Sequence, residues 1–171
     1  VQNFEEVKQA FDPGNLFNPG KIVNPHKMDD REIMRFAPGY EPIKLETKLD
    51  WSEWGGINRA LEMCNNNGAC RKSHVGTMCP SYRVTKDEQH LTRGRANSLR
   101  LAITGQLGPD AFSSEAMYET MDLCVGCKGC KRECPTGIDM ARMKVEFLDQ
   151  YHQRHGTKMR EKLFAYLPRY A

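Results

Sequence analysis

The chain has 171 residues, 39% of them hydrophobic, which suits one modest core or a small domain with an attached arm. No run of about 18 apolar residues occurs, so no transmembrane helix is expected. The net charge of +3 comes from interleaved acids and bases, which argues against a nucleic-acid-binding face.

The charge is nevertheless unevenly divided. Residues 1–63 hold 8 Lys and Arg against 11 Asp and Glu, a balance of −3. Residues 64–171 hold 17 against 11, a balance of +6. The change falls where the cysteines begin, and a basic cysteine region offsets the negative charge of metal-bound thiolates. There are 7 cysteines. The number is odd, no secretory signal precedes them, and four crowd into residues 124–134. A disulfide framework is therefore disfavoured, and metal or redox chemistry in a reducing compartment is expected. The chain opens at Val1 without a signal-peptide pattern and is expected to be part of something longer.

In chain order, Phe4, Val7 and Phe11 suggest a short helix. The stretch Asp12-Pro13-Gly14-Asn15-Leu16-Phe17-Asn18-Pro19-Gly20-Lys21-Ile22 follows, and its Pro-Gly and Asn-Pro pairs mark consecutive turns. Residues 1–50 thus read as an extended, turn-rich arm, the tail of a preceding domain and a linker. Residues 51–171 read as a helical domain. Thr85-Lys86-Asp87-Glu88 has the form of a capping box, and behind it Leu91, Leu99 and Ile103 share one face of a helix ending near Gly105 or Gly108. Ser114 is placed to cap a second helix carrying Met117 and Met121. Asp139 is placed to cap a third, with Met143, Phe147 and Tyr151 at four-residue spacing and Gly156 as its stop. Ile138 and Met143 take hydrophobic-staple positions. A last short helix, 158–167, ends at Pro168. No alternating strand pattern occurs. The fold class expected is mostly α, and the methionines are expected to be ordinary core residues.

The most specific signal is Cys124-Val-Gly-Cys127-Lys-Gly-Cys130-Lys-Arg-Glu-Cys134-Pro135, with the spacing C-x2-C-x2-C-x3-C-P. Three thiolates two residues apart on a curling backbone can each reach one iron corner of a cubane. Gly126 and Gly129 allow the curl, so that backbone N–H groups turn toward the sulfurs. Lys128, Lys131 and Arg132 are expected to favour thiolate over thiol. Two-residue spacing alone also suits zinc, but the third cysteine and the x3-C-P ending make the bacterial ferredoxin run.

A second run is a degenerate copy. Cys64 matches the first position, Asn67 stands where the second cysteine should be, Cys70 matches the third, and Cys79-Pro80 matches the last after a longer insertion. In two-cluster ferredoxins the fourth cysteine of each run ligates the other cluster. Applied here, a [4Fe-4S] cluster takes Cys79, Cys124, Cys127 and Cys130. Cys64, Cys70 and Cys134 remain for a second cluster, either [3Fe-4S] or [4Fe-4S] with a non-cysteine ligand. A simpler alternative keeps Cys134 with its own run and leaves Cys64, Cys70 and Cys79 with a labile or absent cluster. Candidates for a non-cysteine ligand are Asn67, favoured instead as a turn residue with left-handed φ, His74, favoured as a solvated loop residue, and a group from outside the chain. Arg93-Gly94-Arg95 and Arg100 lie between the runs and are expected to be a solvated helix face rather than partners of the cluster loops or of an acidic protein.

The 44 residues between Cys79 and Cys124 read as helices. That resembles the α-helical ferredoxin domain of succinate dehydrogenase iron–sulfur subunits and of glycerol-3-phosphate dehydrogenase and heterodisulfide reductase relatives. The closer resemblance is to large FAD-linked oxidases with a fused iron–sulfur domain, the D-lactate, glycolate and D-2-hydroxyglutarate dehydrogenase group. Phe11-Asp12-Pro13 through Asn18-Pro19-Gly20-Lys21-Ile22 looks like the end of the flavin enzyme's C-terminal domain. The two runs, Cys64 through Cys79-Pro80-Ser81 and Leu123-Cys124 through Thr136-Gly137-Ile138-Asp139-Met140, look like that group's cluster runs, in the same order.

The resemblance implies a flavoprotein whose FAD, bound in an upstream domain of the same polypeptide, oxidises a D-2-hydroxy acid. The clusters would pass electrons to a downstream acceptor, in the cytoplasm or peripherally on the inner face of the membrane. This chain lacks the flavin and substrate residues, so no catalytic residue is expected in it. The rival readings are an iron–sulfur subunit of another dehydrogenase or reductase and a structural zinc or interaction module.

Overall fold

The computed structural model describes residues 2–34 and 39–169. Among the described residues there are eight α-helices, six short 3-10 turns and no strand. No helix there is long and apolar enough to cross a membrane. The chain divides into two compact units, residues 1–40 and 41–171.

The first unit holds helix α1 (Gln2–Phe11), which buries none of its residues. Phe4, Val7, Phe11, Phe17, Ile22 and Val23 line one shallow groove. The turn after α1 is built on Asp12, whose carboxylate is buried and accepts from the backbone N–H groups of Leu16 and Phe17, each at 2.9 Å. Lys8 pairs with the same carboxylate. Asn15, Asn18 and Gly20 take left-handed φ, as the turn signals led one to expect.

The second unit is helical throughout. Its helices are α2 (Ile57–Glu62), α3 (Pro80–Thr85), α4 (Thr92–Ile103), α5 (Glu115–Asp122), α6 (Gly129–Glu133), α7 (Met140–His155) and α8 (Met159–Tyr166). Leu91, Leu99 and Ile103 are buried on α4 and the residue leading into it, and Met117 and Met121 on α5. Met140, Met143, Phe147 and Tyr151 are buried on α7, and Ile138 just before it. Each such side chain taken from water contributes about 1.5–3 kcal/mol. Ser114 caps α5, accepting from Met117 N–H at 3.2 Å, and Asp139 caps α7, accepting from Arg142 N–H at 3.1 Å. Gly156 ends α7 with φ +75°.

Two expectations are corrected. Thr85 does not open a capping box, because it is the last residue of α3, whose first turn is set by Pro80. Asp87 instead caps a 3-10 turn at Glu88–His90, and α4 begins only at Thr92. Residues 41–50 also lie with the helical unit, not with the arm. The reason is Glu146, which has no exposed surface and sits on α7. Its carboxylate accepts from the N–H groups of Lys48 at 2.7 Å and Leu49 at 3.1 Å, and from the Trp51 indole at 2.9 Å. A buried carboxylate needs such donors, and the segment 48–51 supplies them from two backbone N–H groups and one indole. Arg142 stacks over Trp51, 4.7 Å from its ring centre, and extends the same clasp.

Candidate metal centre

As far as Cys70 and Cys130, the two cysteine runs share their left-handed positions and helix bounds at a constant offset of 60 residues. A helix ends at Glu62 in the first and at Asp122 in the second. A cap residue follows, then Cys64 or Cys124. Asn66 and Gly126 are both left-handed, with φ of +61° and +65°. So are Gly68 and Lys128, at +75° and +57°. A helical turn then opens at Ala69 or Gly129 and carries Cys70 or Cys130. Asn67 therefore stands in the register of Cys127. The left-handed residue is its neighbour Asn66, a correction to the sequence reading. Asn67 shapes the turn by its side chain, whose Oδ1 accepts from Ala69 N–H at 2.8 Å. His74 is exposed, with Ser73 Oγ 3.4 Å from its Nδ1.

Cys79, Cys124, Cys127 and Cys130 line one cavity, together with Arg95 and Met140. Cys79 reaches it from the first run because it adopts φ +54° just before α3, and because α4 holds its sulfur: Thr92 N–H donates to Cys79 Sγ at 3.0 Å and Thr92 Oγ1 lies at 2.9 Å. The loop before Cys79 is clamped to α6. Glu133 accepts from Thr77 N–H at 2.6 Å, from Thr77 Oγ1 at 2.7 Å and from Met78 N–H at 3.2 Å. These bonds, led by the Thr77 N–H, hold the Glu133 carboxyl down at about 2. Gly129 allows the approach, since a Cβ there would lie 2.9 Å from Thr77 Oγ1. Cys70 sits on the turn Ala69–Arg71, which packs against α6, and Cys134 immediately follows α6.

Backbone N–H groups point at the sulfurs from the first residues of α4 and α7 and from the loop before α7. Burial raises the Cys130 thiol, opposed by the N–H groups of Met140, Ala141 and Lys131. Burial pushes Cys70 up to about 11, against the N–H of Arg93. Cys79 is likewise raised by burial, against Thr92. Cys134 goes the other way: burial still opposes ionisation, but Thr136 Oγ1 at 3.2 Å and the N–H groups of Ile138, Thr136 and Gly137 outweigh it and lower the thiol. Donors of this kind stabilise metal-bound thiolates. All seven cysteines are unpaired. Among the described residues, no three His, Cys, Asp or Glu side chains are gathered closely enough to hold one metal ion.

The expected solvated face at Arg93–Arg95 is overturned. Arg95 is 2% exposed and points into the cavity region. Arg93 lies along the first loop, donating to Asn66 O at 3.3 Å while pairing with Glu88 at 2.5 Å. Gly94 between them is obligatory, because a Cβ there would lie 2.0 Å from Glu88 O. Lys131 pairs with Asp139 at 3.4 Å. Lys144, unforeseen, donates to Cys124 O at 2.6 Å and Asp122 O at 2.9 Å, fixing the end of α5.

Residues 60–138 match the 4Fe-4S dicluster domain, and residues 1–22 match the C-terminal domain of FAD linked oxidases. D-2-hydroxyglutarate dehydrogenase of Pseudomonas putida is 28% identical over 95% of this chain, and that of Pantoea ananatis 30% identical over 96%. The chain spans 19% of the length of each of these relatives. A probable glycolate oxidase iron-sulfur subunit of Bacillus subtilis is 29% identical over 58% of this chain and 21% of its own length. No solved structure matches.

Proposed function

We propose that this chain relays electrons from an FAD site that oxidises a D-2-hydroxy acid to a downstream acceptor. It would do so in the cytoplasm or peripherally on the inner face of the membrane. The observation that carries the reading is the cavity lined by Cys79 from one run and Cys124, Cys127 and Cys130 from the other. Four thiols around one space, with N–H donors aimed at the sulfurs and a buried guanidinium beside them, suit a [4Fe-4S] cluster. Such a cluster, when bound, takes up and gives back one electron at a time. The chain's own residues fix the sulfurs, exclude water and supply the surrounding charge. The relatives' names support the hydroxy acid as the electron source, and the match over residues 1–22 supports a flavin domain in the same polypeptide.

Cys64, Cys70 and Cys134 are assigned to a second cluster, of three-iron type. Asn67 Oδ1 already accepts from Ala69 N–H, and His74 lies exposed in its loop, so neither is held ready as a fourth ligand. The test is electron paramagnetic resonance on anaerobically purified protein, oxidised and then reduced, with iron measured on the same sample. A three-iron signal when oxidised and a four-iron signal when reduced support the assignment. Colourless, iron-free protein that binds zinc would sink it. In a full-length enzyme, Cys127→Ser should block electron exit while hydroxy-acid-driven flavin reduction survives.

A further inference from the structure

Arg95 is the cation of the second unit with the least ordinary surroundings. Its stem lies among Leu91, Leu99 and Ile103 on the inner stripe of α4, and its side chain is 2% exposed. All three guanidinium nitrogens are engaged. Nε donates to Thr120 O at 2.9 Å, Nη1 to His90 O at 2.8 Å, and Nη2 to Ser81 Oγ at 3.1 Å. Every one of these acceptors is neutral. Neighbouring cations differ: Arg93 has Glu88, Lys131 has Asp139 and Arg154 has Asp110. Among the described residues no carboxylate pairs with Arg95. The ionisable groups that face it are the sulfurs of Cys124, Cys79 and Cys130 and the ammonium of Lys144, a second cation beside Cys124.

A buried cation without a counter-ion is strongly unfavourable. Arginine cannot escape by losing its proton, as a lysine can. The charge is therefore held in place for something anionic, and among the described residues its surroundings offer the thiolate set of the cavity. Its anchors add a second role. Ser81 follows Cys79 on α3, and Thr120 precedes Cys124 on α5, so one side chain ties the segment carrying the first run's last cysteine to the segment entering the second run.

We infer that Arg95 is the built-in counter-charge of the cluster held by Cys79, Cys124, Cys127 and Cys130, a positioning residue that makes this cluster easier to reduce. The inference rests on the ligand set proposed above. Reduction adds one negative charge beside a fixed positive one, so removing the guanidinium must disfavour the reduced state. A neutral residue of similar length, Arg95→Met, keeps most of the volume and deletes the charge. Arg95→Lys keeps the charge and gives up the fork.

The experiment is a potentiometric titration followed by electron paramagnetic resonance at pH 7, with iron and sulfide measured on each sample. Wild-type protein without a four-iron signal would fail the ligand assignment itself, before any variant is made. Where R95M retains wild-type iron, its potential decides. A reduction equilibrium shifted at least about tenfold toward the oxidised form, about 59 mV for one electron, supports the inference. An unchanged midpoint overturns it. Where R95M loses the four-iron cluster, R95K decides. A cluster retained in R95K at near wild-type potential supports the charge role. Loss in R95K as well, with helix content preserved, reduces Arg95 to a steric pin and overturns it.

Discussion

The two cysteine loops share their left-handed turn positions and differ in their surroundings. Both turn left-handed two and four residues after their first cysteine. In the second loop, Cys124, Cys127 and Cys130 border a cavity with a buried, acid-free arginine at its edge. In the first, Asn67 stands in the register of Cys127, and the nearby Arg93 is neutralised by Glu88. The difference teaches that the shape of such a loop is set by its turn residues, not by its ligands. A thiol can be lost from the third position after the first cysteine while the fold of the loop remains.

The largest effect that could break this comparison comes from the ligand that changes sides. Cys79→Ser and Cys127→Ser should abolish the same four-iron resonance, although they lie in different runs, and leave the same residual signal. Loss of different signals in the two variants would assign the ligands run by run. Next, Asn67→Cys restores the missing thiol in register. It should add one iron per chain and convert an oxidised three-iron signal into a four-iron one seen on reduction, at the cost of the Ala69 cap. An unchanged iron count would show that the loop's third position faces away from the cluster.

Gly94 separates the arginine that serves one loop from the arginine that serves the other. Gly94→Ala should destabilise the protein by about 1–3 kcal/mol, because its Cβ meets the Glu88 carbonyl rather than a flexible side chain. The denaturation midpoint measures this. The smallest effect is at the paired left-handed sites. Lys128→Gly should stabilise by about 1 kcal/mol, since lysine tolerates positive φ poorly. Asn66→Gly should change stability less, since asparagine visits that region more readily. Equal gains at the two sites would mean that the loops are not strained alike.

Much of this was legible in the sequence. The caps at Ser114 and Asp139, the stop at Gly156 and the apolar spacing of α7 are local signals, and the structure follows them. The register between the two runs was legible too, because two of three cysteine positions coincide. What escaped was long-range. Glu146 lies beside Phe147 on α7 and has no local reason to be buried. The backbone of Lys48 and Leu49 and the Trp51 indole, almost a hundred residues earlier, supply its donors. Arg95 could have been found: it falls four residues after Leu91 and four before Leu99, on an apolar stripe where a charge must be enclosed.

The exchange of last cysteines between the runs also has a consequence in time. On the proposed assignment, a chain emerging from the ribosome presents Cys64, Cys70 and Cys79 long before either ligand set is complete. The four-thiol set closes only when Cys130 has been made, and the other only at Cys134. At the usual ~5–20 residues per second, the early thiols wait several seconds without a site of their own. On this assignment iron delivery must wait until synthesis has passed Cys134, and a ribosome that stalls between the runs leaves three cysteines open to oxygen and to the wrong metal.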